Sequence, residues 1–79
     1  MDRRRLVALL EQNMASAHPS VQWTMNLAAG QIGILHPLVR GRCIALGERT
    51  GLYKDYPTPK GCTSPYLPIW IPAIVARGE

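Results

Sequence analysis

Two histidines and two cysteines are the residues of this chain that could bind a metal ion, and zinc is the ion that such ligands suit. They are His18, His36, Cys43 and Cys62. No two of them have the spacing of a known zinc motif, and each histidine directly precedes a proline. Because a proline is favoured in the first turn of a helix, we predict structural positions for both histidines, with no metal site and no cofactor.

Cys62 and Asp55 are the residues that could support covalent or acid–base chemistry. Cys62 is expected near a helix N-terminus, where the pKa of a thiol can fall. A nucleophile also needs a base, and no histidine lies near Cys62 in the sequence. We therefore predict a buried structural role for Cys62 and a loop-holding hydrogen bond for Asp55. One function that stays open is an enzyme that uses both residues, and it ranks below the two functions given at the end of this section.

The charge balance favours an anionic partner. The 79 residues include nine Lys and Arg but only five Asp and Glu, which gives a formal net charge of +4. Nucleic acid is the first partner that such a charge indicates. Only Arg3, Arg4 and Arg5 are clustered, however, and an ordinary solvated surface explains the charge about as well.

The chain length and the N-terminal segment indicate one small domain, residues 1–79, in the cytoplasm. The apolar run Leu6–Leu10 is too short for a signal peptide and for a membrane span. Two cysteines are too few for a disulfide framework, so we predict reduced thiols.

Helical periodicity predicts an all-α fold of three to four helices. Asp2 can cap a first helix, and apolar residues on two faces predict a second helix over Ser20–Leu35. A third helix is predicted from Pro37 to its C-terminal glycine, Gly51. The two His-Pro pairs lie eighteen residues apart, which suggests the helical hairpin of HEAT-like repeats.

A proline-rich segment interrupts this pattern before the last helix. Residues 52–63 have no helical period and are predicted to form a long loop. Thr63 or Ser64 can cap the last helix, with Pro65 in its first turn. We expect a kink or a break at Pro72, because an internal proline removes a backbone donor and clashes with the preceding turn.

Six apolar residues make up the predicted structural core. Its members are Trp23, Met25, Ile32, Ile44, Cys62 and Trp70. The alternative for the two tryptophans is stacking on a nucleic-acid base.

Several stretches from residue 25 onward resemble the C-terminal part of the DNA alkylation repair family. They are Met25-Asn26, Gly33, IALGERTG at 44–51, Lys54-Asp55-Tyr56, Gly61-Cys62-Thr63-Ser64-Pro65 and Trp70-Ile71. The resemblance covers residues 18–77 and implies a HEAT-like solenoid that cradles duplex DNA on a basic concave face. The family's catalytic residues lie in earlier repeats, so the resemblance implies no catalytic residue here.

The resemblance thus implies a module that binds DNA or caps a repeat array, with no chemistry of its own. The predicted phosphate contacts are Arg3, Arg4, Arg5, Lys54 and Lys60. A cap without its array exposes an apolar face. The alternative is therefore a small helical interaction protein that forms a homo-oligomer or docks on a protein partner through that face.

Overall fold

The computed structural model describes residues 2–78, and within them the fold is all-α, as predicted. Four α-helices follow one another, and a short 3₁₀ turn, Met14–Ser16, separates the first two. The proline-rich segment predicted before the last helix is confirmed. The helices are α1 (Arg3–Asn13), α2 (Pro19–Leu35), α3 (Pro37–Thr50) and α4 (Leu67–Ala76).

The ends of the first three helices follow local sequence signals. The carboxylate of Asp2 accepts a hydrogen bond from the backbone N–H of Arg4 at 2.9 Å, which caps α1. Gly51 ends α3 in the left-handed conformation, with φ 66°. The helix α2 begins one residue earlier than predicted, because the Nδ1 atom of His18 accepts the backbone N–H of Ser20 and serves as the cap.

The last helix starts later than predicted and does not break. It begins at Leu67, so Pro65 precedes it and Pro68 occupies its first turn. The helix also continues through Pro72 to Ala76. Pro72 is exposed, whereas Leu67 and Ile71 on the inner side are fully buried. Packing of that inner side stabilises the helix and offsets the backbone hydrogen bond that Pro72 cannot donate.

Small residues, not large ones, form the buried face of α2. Asn26, Ala29, Gly30 and Gly33 are buried at a helical spacing. The large apolar residues that were predicted to line two buried faces lie at the flanks, and several are exposed. Because small residues let another helix approach closely, α4 lies directly against this face of α2 and also packs on α3.

The core joins all four helices. Its buried apolar members are Val7, Leu10, Met14, Ala29, Val39, Cys43, Leu46, Leu67 and Ile71. Of the predicted core residues, Met25, Ile32, Ile44 and Trp70 are partly buried and pack against this cluster. The prediction is wrong for Cys62, which is exposed because its turn lies on the surface. Trp23 is also on the surface, with 37% of its area exposed.

Candidate functional site

A cluster of three aromatic residues joins the start of α2 to the segment after α3. The ring of Trp23 lies 5.1 Å from that of Tyr53, edge to face, and 5.6 Å from that of Tyr56. The two tyrosine rings are 6.0 Å apart. Tyr53 has a left-handed backbone, with φ 66°, which turns the chain as it leaves α3. Burial raises the pKa of the Tyr53 phenol above its usual range, and the neighbouring Tyr56 adds to the shift.

An open groove of about 300 Å³ lies beside this cluster, and we call it the aromatic groove. The helices α2 and α4 supply one side of it, and the proline-rich segment supplies the other. Most of its surface is apolar, and the polar side-chain groups of its lining residues are hydroxyls, a thiol and two indole N–H groups. The lining residues are Trp23, Leu27, Tyr56, Pro57, Thr58, Pro59, Cys62, Thr63, Ser64, Pro65 and Trp70.

Three contacts hold the walls of the aromatic groove in place. Trp70 packs its ring on Gly30, where a side chain would overlap the ring. The Nδ2 atom of the buried Asn26 donates a hydrogen bond to the carbonyl of Pro65 at 2.9 Å. A turn closes where the backbone N–H of Cys62 donates to the carbonyl of Pro59 at 3.0 Å. The groove is therefore built on fixed side chains and backbone, although its loop wall is mostly exposed.

The charged residues around the aromatic groove are mainly basic. Lys54 and Lys60 are exposed on the same loop as the groove wall. The Nη2 atom of Arg77 donates to the Oγ1 atom of Thr63, a lining residue, at 3.4 Å. Asp55 is the one acid in that loop, and it is exposed. Its side chain makes no hydrogen bond with the described residues, so the predicted loop-holding hydrogen bond is not seen. Three positive charges and one negative charge therefore lie on or beside the segments that form the groove.

Three other arginines are held by the fold itself. Arg40 donates to the carbonyls of Gly33 and Ile34 at the end of α2, at 2.8 and 2.9 Å. Arg42 pairs with Glu11, and Arg49 donates to the backbone carbonyl of Glu11 at 3.1 Å.

The hydrogen bond from Arg42 lowers the pKa of the Glu11 carboxyl, although partial burial opposes the shift. The contact between Arg42 and Glu11 is the one ion pair among the described residues.

The five predicted phosphate contacts are all exposed, but the structure does not bring them together. Arg3 shares a small groove with Leu38 at the start of α3, whereas Lys54 follows the end of the same helix. A helix of 14 residues is about 21 Å long. The trio Arg3, Arg4 and Arg5 therefore lies at one end of the molecule, and the pair Lys54 and Lys60 lies near the aromatic groove.

The thiols differ in their chemistry. Cys43 is fully buried, and burial raises its pKa to about 11. Cys62 is exposed in the aromatic groove, but neither histidine lines that groove. Within residues 2–78 no three His, Cys, Asp or Glu side chains are grouped to hold a metal ion. No helix in the same range is long and apolar enough to cross a membrane.

The aromatic groove was not predicted as a site. The sequence did flag its parts, since Tyr56–Pro72 holds five of the seven prolines and Trp23 had stacking as an alternative role. What it could not supply was the contact between Trp23 and a loop more than thirty residues away. The signal that could have revealed the groove is a proline-rich stretch that is too apolar for a linker.

No protein-family model matches this chain, and neither does any curated protein or solved structure. The resemblance to the DNA alkylation repair family therefore stays a prediction.

Proposed function

We propose that the chain is a non-catalytic DNA-binding module, related to the end of the DNA alkylation repair solenoids. The observation that supports it is the set of five exposed cations that make no ion pair within residues 2–78. In this proposal the five cations contact DNA phosphates, since such contacts supply most of the affinity when a protein binds DNA without regard to sequence. The proposal places the chain in the cytoplasm, where its thiols stay reduced.

The separation of the two cationic groups suits a long polyanion. They lie at opposite ends of a helix of about 21 Å, and one turn of B-DNA spans about 34 Å. A single duplex can therefore contact both the Arg3–Arg5 group and the Lys54–Lys60 loop. A small anion could contact only one of them.

Alanine substitutions test this proposal. Removing Arg4 or Lys54 should weaken duplex binding equally for different sequences and reduce the salt slope by about 1. Arg49→Ala is the matched control, because it removes the same charge from a guanidinium that already bonds the backbone of Glu11. Fluorescence anisotropy over a salt series measures both quantities. Salt-independent binding, or no binding to plain and alkylated duplex alike, would contradict the proposal.

A second function, protein interaction through an apolar face, is favoured by the turn between α2 and α3. Leu38 is 90% exposed and Leu35 is 64% exposed, on either side of that turn. Leu38 also lines a small groove of about 130 Å³ with Arg3 and His36. Exposed leucines in a cluster are typical of an interface, either with the preceding repeat of an array or with a second copy.

Sedimentation velocity over a range of concentrations tests the interaction function. Self-association that Leu38→Ser abolishes would support a homo-oligomer. Val21→Ser is the control, because Val21 is 45% exposed at the other end of α2. A monomer at every concentration, with a cooperative unfolding transition, argues against self-association.

A further inference from the structure

We propose that the aromatic groove binds an unpaired base of DNA, while Lys54 and Lys60 contact the phosphates beside it. This inference rests on the proposed DNA binding and adds the part of DNA that the groove takes. It depends on the lining, the charges and the fixed geometry of the groove.

The lining suits the flat face of a base. Trp23, Tyr56 and Trp70 contribute rings to one groove, and Tyr56 keeps 49% of its area exposed. Bases stack on such rings with little dependence on sequence. The volume of about 300 Å³ is at the lower end of the range for small-ligand sites. The Oγ1 atom of Thr58, which donates its proton to the carbonyl of Tyr56, can accept a hydrogen bond from the polar edge of a base. The Oγ atom of Ser64, which accepts from the backbone N–H of Tyr66, can donate one.

The charge at the rim favours a nucleotide over a neutral ligand. Lys54, Lys60 and Arg77 carry three positive charges near the groove, against one negative charge on Asp55. An acidic peptide would share this attraction, but its Asp and Glu side chains carry no planar ring to stack on the aromatic residues of the groove. A neutral proline-rich peptide would use the rings and leave the cations without a partner.

The shape of duplex DNA restricts the ligand further. Bases in a paired duplex are stacked on each other, so their faces are not free to enter a groove between two helices and a loop. An unpaired nucleotide costs little to unstack. The groove is therefore expected to discriminate between a fully paired duplex and one that carries a single unpaired nucleotide.

Fluorescence anisotropy with two labelled duplexes, identical except for one central unpaired nucleotide, tests the inference. The wild-type chain should bind the duplex with the unpaired nucleotide about tenfold more tightly than the fully paired duplex, as expected for one stacked base. Tyr56→Leu should abolish this preference and leave binding to the paired duplex unchanged, while Tyr56→Phe should keep it. Leu27→Glu, on the opposite wall, is the second blocking variant. Val21→Glu is its control, because Val21 is exposed on the same helix and does not line the groove.

Each result decides a different question. Equal affinity of the wild type for both duplexes overturns the inference and leaves the proposed function in place. If the wild type binds neither duplex, the inference and the proposed function are both rejected. A preference that survives Tyr56→Leu and Leu27→Glu places the base elsewhere and also overturns the inference. The groove is assigned to a peptide instead if an acidic or proline-rich peptide binds more tightly than the duplex with the unpaired nucleotide, and if Tyr56→Leu abolishes that peptide binding.

Discussion

Gly30 of α2 lies directly beneath the ring of Trp70 of α4, and a Cβ atom built at position 30 would overlap that ring. The glycine weakens the helix locally by about 1 kcal/mol relative to alanine. In return, its missing side chain lets α4 approach α2 and places Trp70 in the wall of the aromatic groove. We expect Gly30→Ala to lower the free energy of unfolding by about 2 kcal/mol, because the tryptophan must move. Urea denaturation measures this change.

Gly41 of α3 is the matched control for that substitution. A Cβ atom there meets nothing within 4 Å. Alanine at this position should stabilise the protein by up to about 1 kcal/mol through helix propensity alone. If Gly30→Ala and Gly41→Ala were equally stabilising, the close contact of Gly30 with Trp70 would be disproved.

The buried amide of Asn26 connects α2 to the start of α4. Its Nδ2 atom donates to the carbonyl of Pro65, and its Oδ1 atom has no partner among the described residues. Asn26→Ala leaves the partly buried carbonyl of Pro65 without this donor, so we expect the free energy of unfolding to fall by about 2 kcal/mol, measured by thermal unfolding. Gln31→Ala is the control, since Gln31 is an exposed amide on the same helix. Equal effects at both sites would contradict the role of this hydrogen bond.

The ion pair between Glu11 and Arg42 makes stability depend on acid pH. Because the pair lowers the pKa of Glu11 below its usual 4.5, its stabilisation is present above that value. It is lost as the pH falls through the lower pKa of the folded state. Glu11→Gln should therefore be less stable than the wild type at pH 7, and the difference should shrink below pH 4.5. Glu48→Gln, at an exposed position of α3 with no ion pair among the described residues, is the control, and urea denaturation at several pH values measures the stability of each variant.

The two thiols should react at very different rates. At pH 8 a thiol with a pKa of about 11 is ionised in roughly one molecule in a thousand, and Cys43 is also inaccessible. A maleimide or a disulfide reagent should therefore modify one thiol per folded chain, at Cys62. Cys62→Ser should remove the fast reaction, and Cys43→Ser should leave it. Rapid modification of Cys43 without denaturant would contradict its burial.

Replacement of Pro72 should stabilise the last helix. Pro72 lies at an exposed position inside α4 and has no N–H to donate to the carbonyl of Pro68. Pro72→Ala restores that donor, so we expect a gain of about 1–2 kcal/mol in chemical denaturation. Pro19→Ala serves as the comparison, because Pro19 begins α2, where the helix needs no donor. A loss of stability in Pro72→Ala would show that the proline ring makes a contact of its own.

Local sequence signals are enough to predict the all-α class, the proline-rich segment before the last helix, the start of α1 and both ends of α3. These features depend on local signals: Asp2 as a cap, the His-Pro pairs at helix starts and Gly51 at a helix end. Local backbone preferences act within a few residues, so the order of residues is enough to read them.

The buried faces of the helices and the position of the groove depend on contacts between segments that are distant in the sequence. Periodicity of large apolar residues predicted two packed faces of α2, but the fully buried residues of this helix include Gly30 and Gly33, because close helix packing selects small side chains. Cys62 was expected inside and lies on the surface, because a turn closed by Pro59 directs it outward. The continuation of α4 through Pro72 and the meeting of Trp23 with Tyr56 both depend on contacts between distant segments, which no local pattern records.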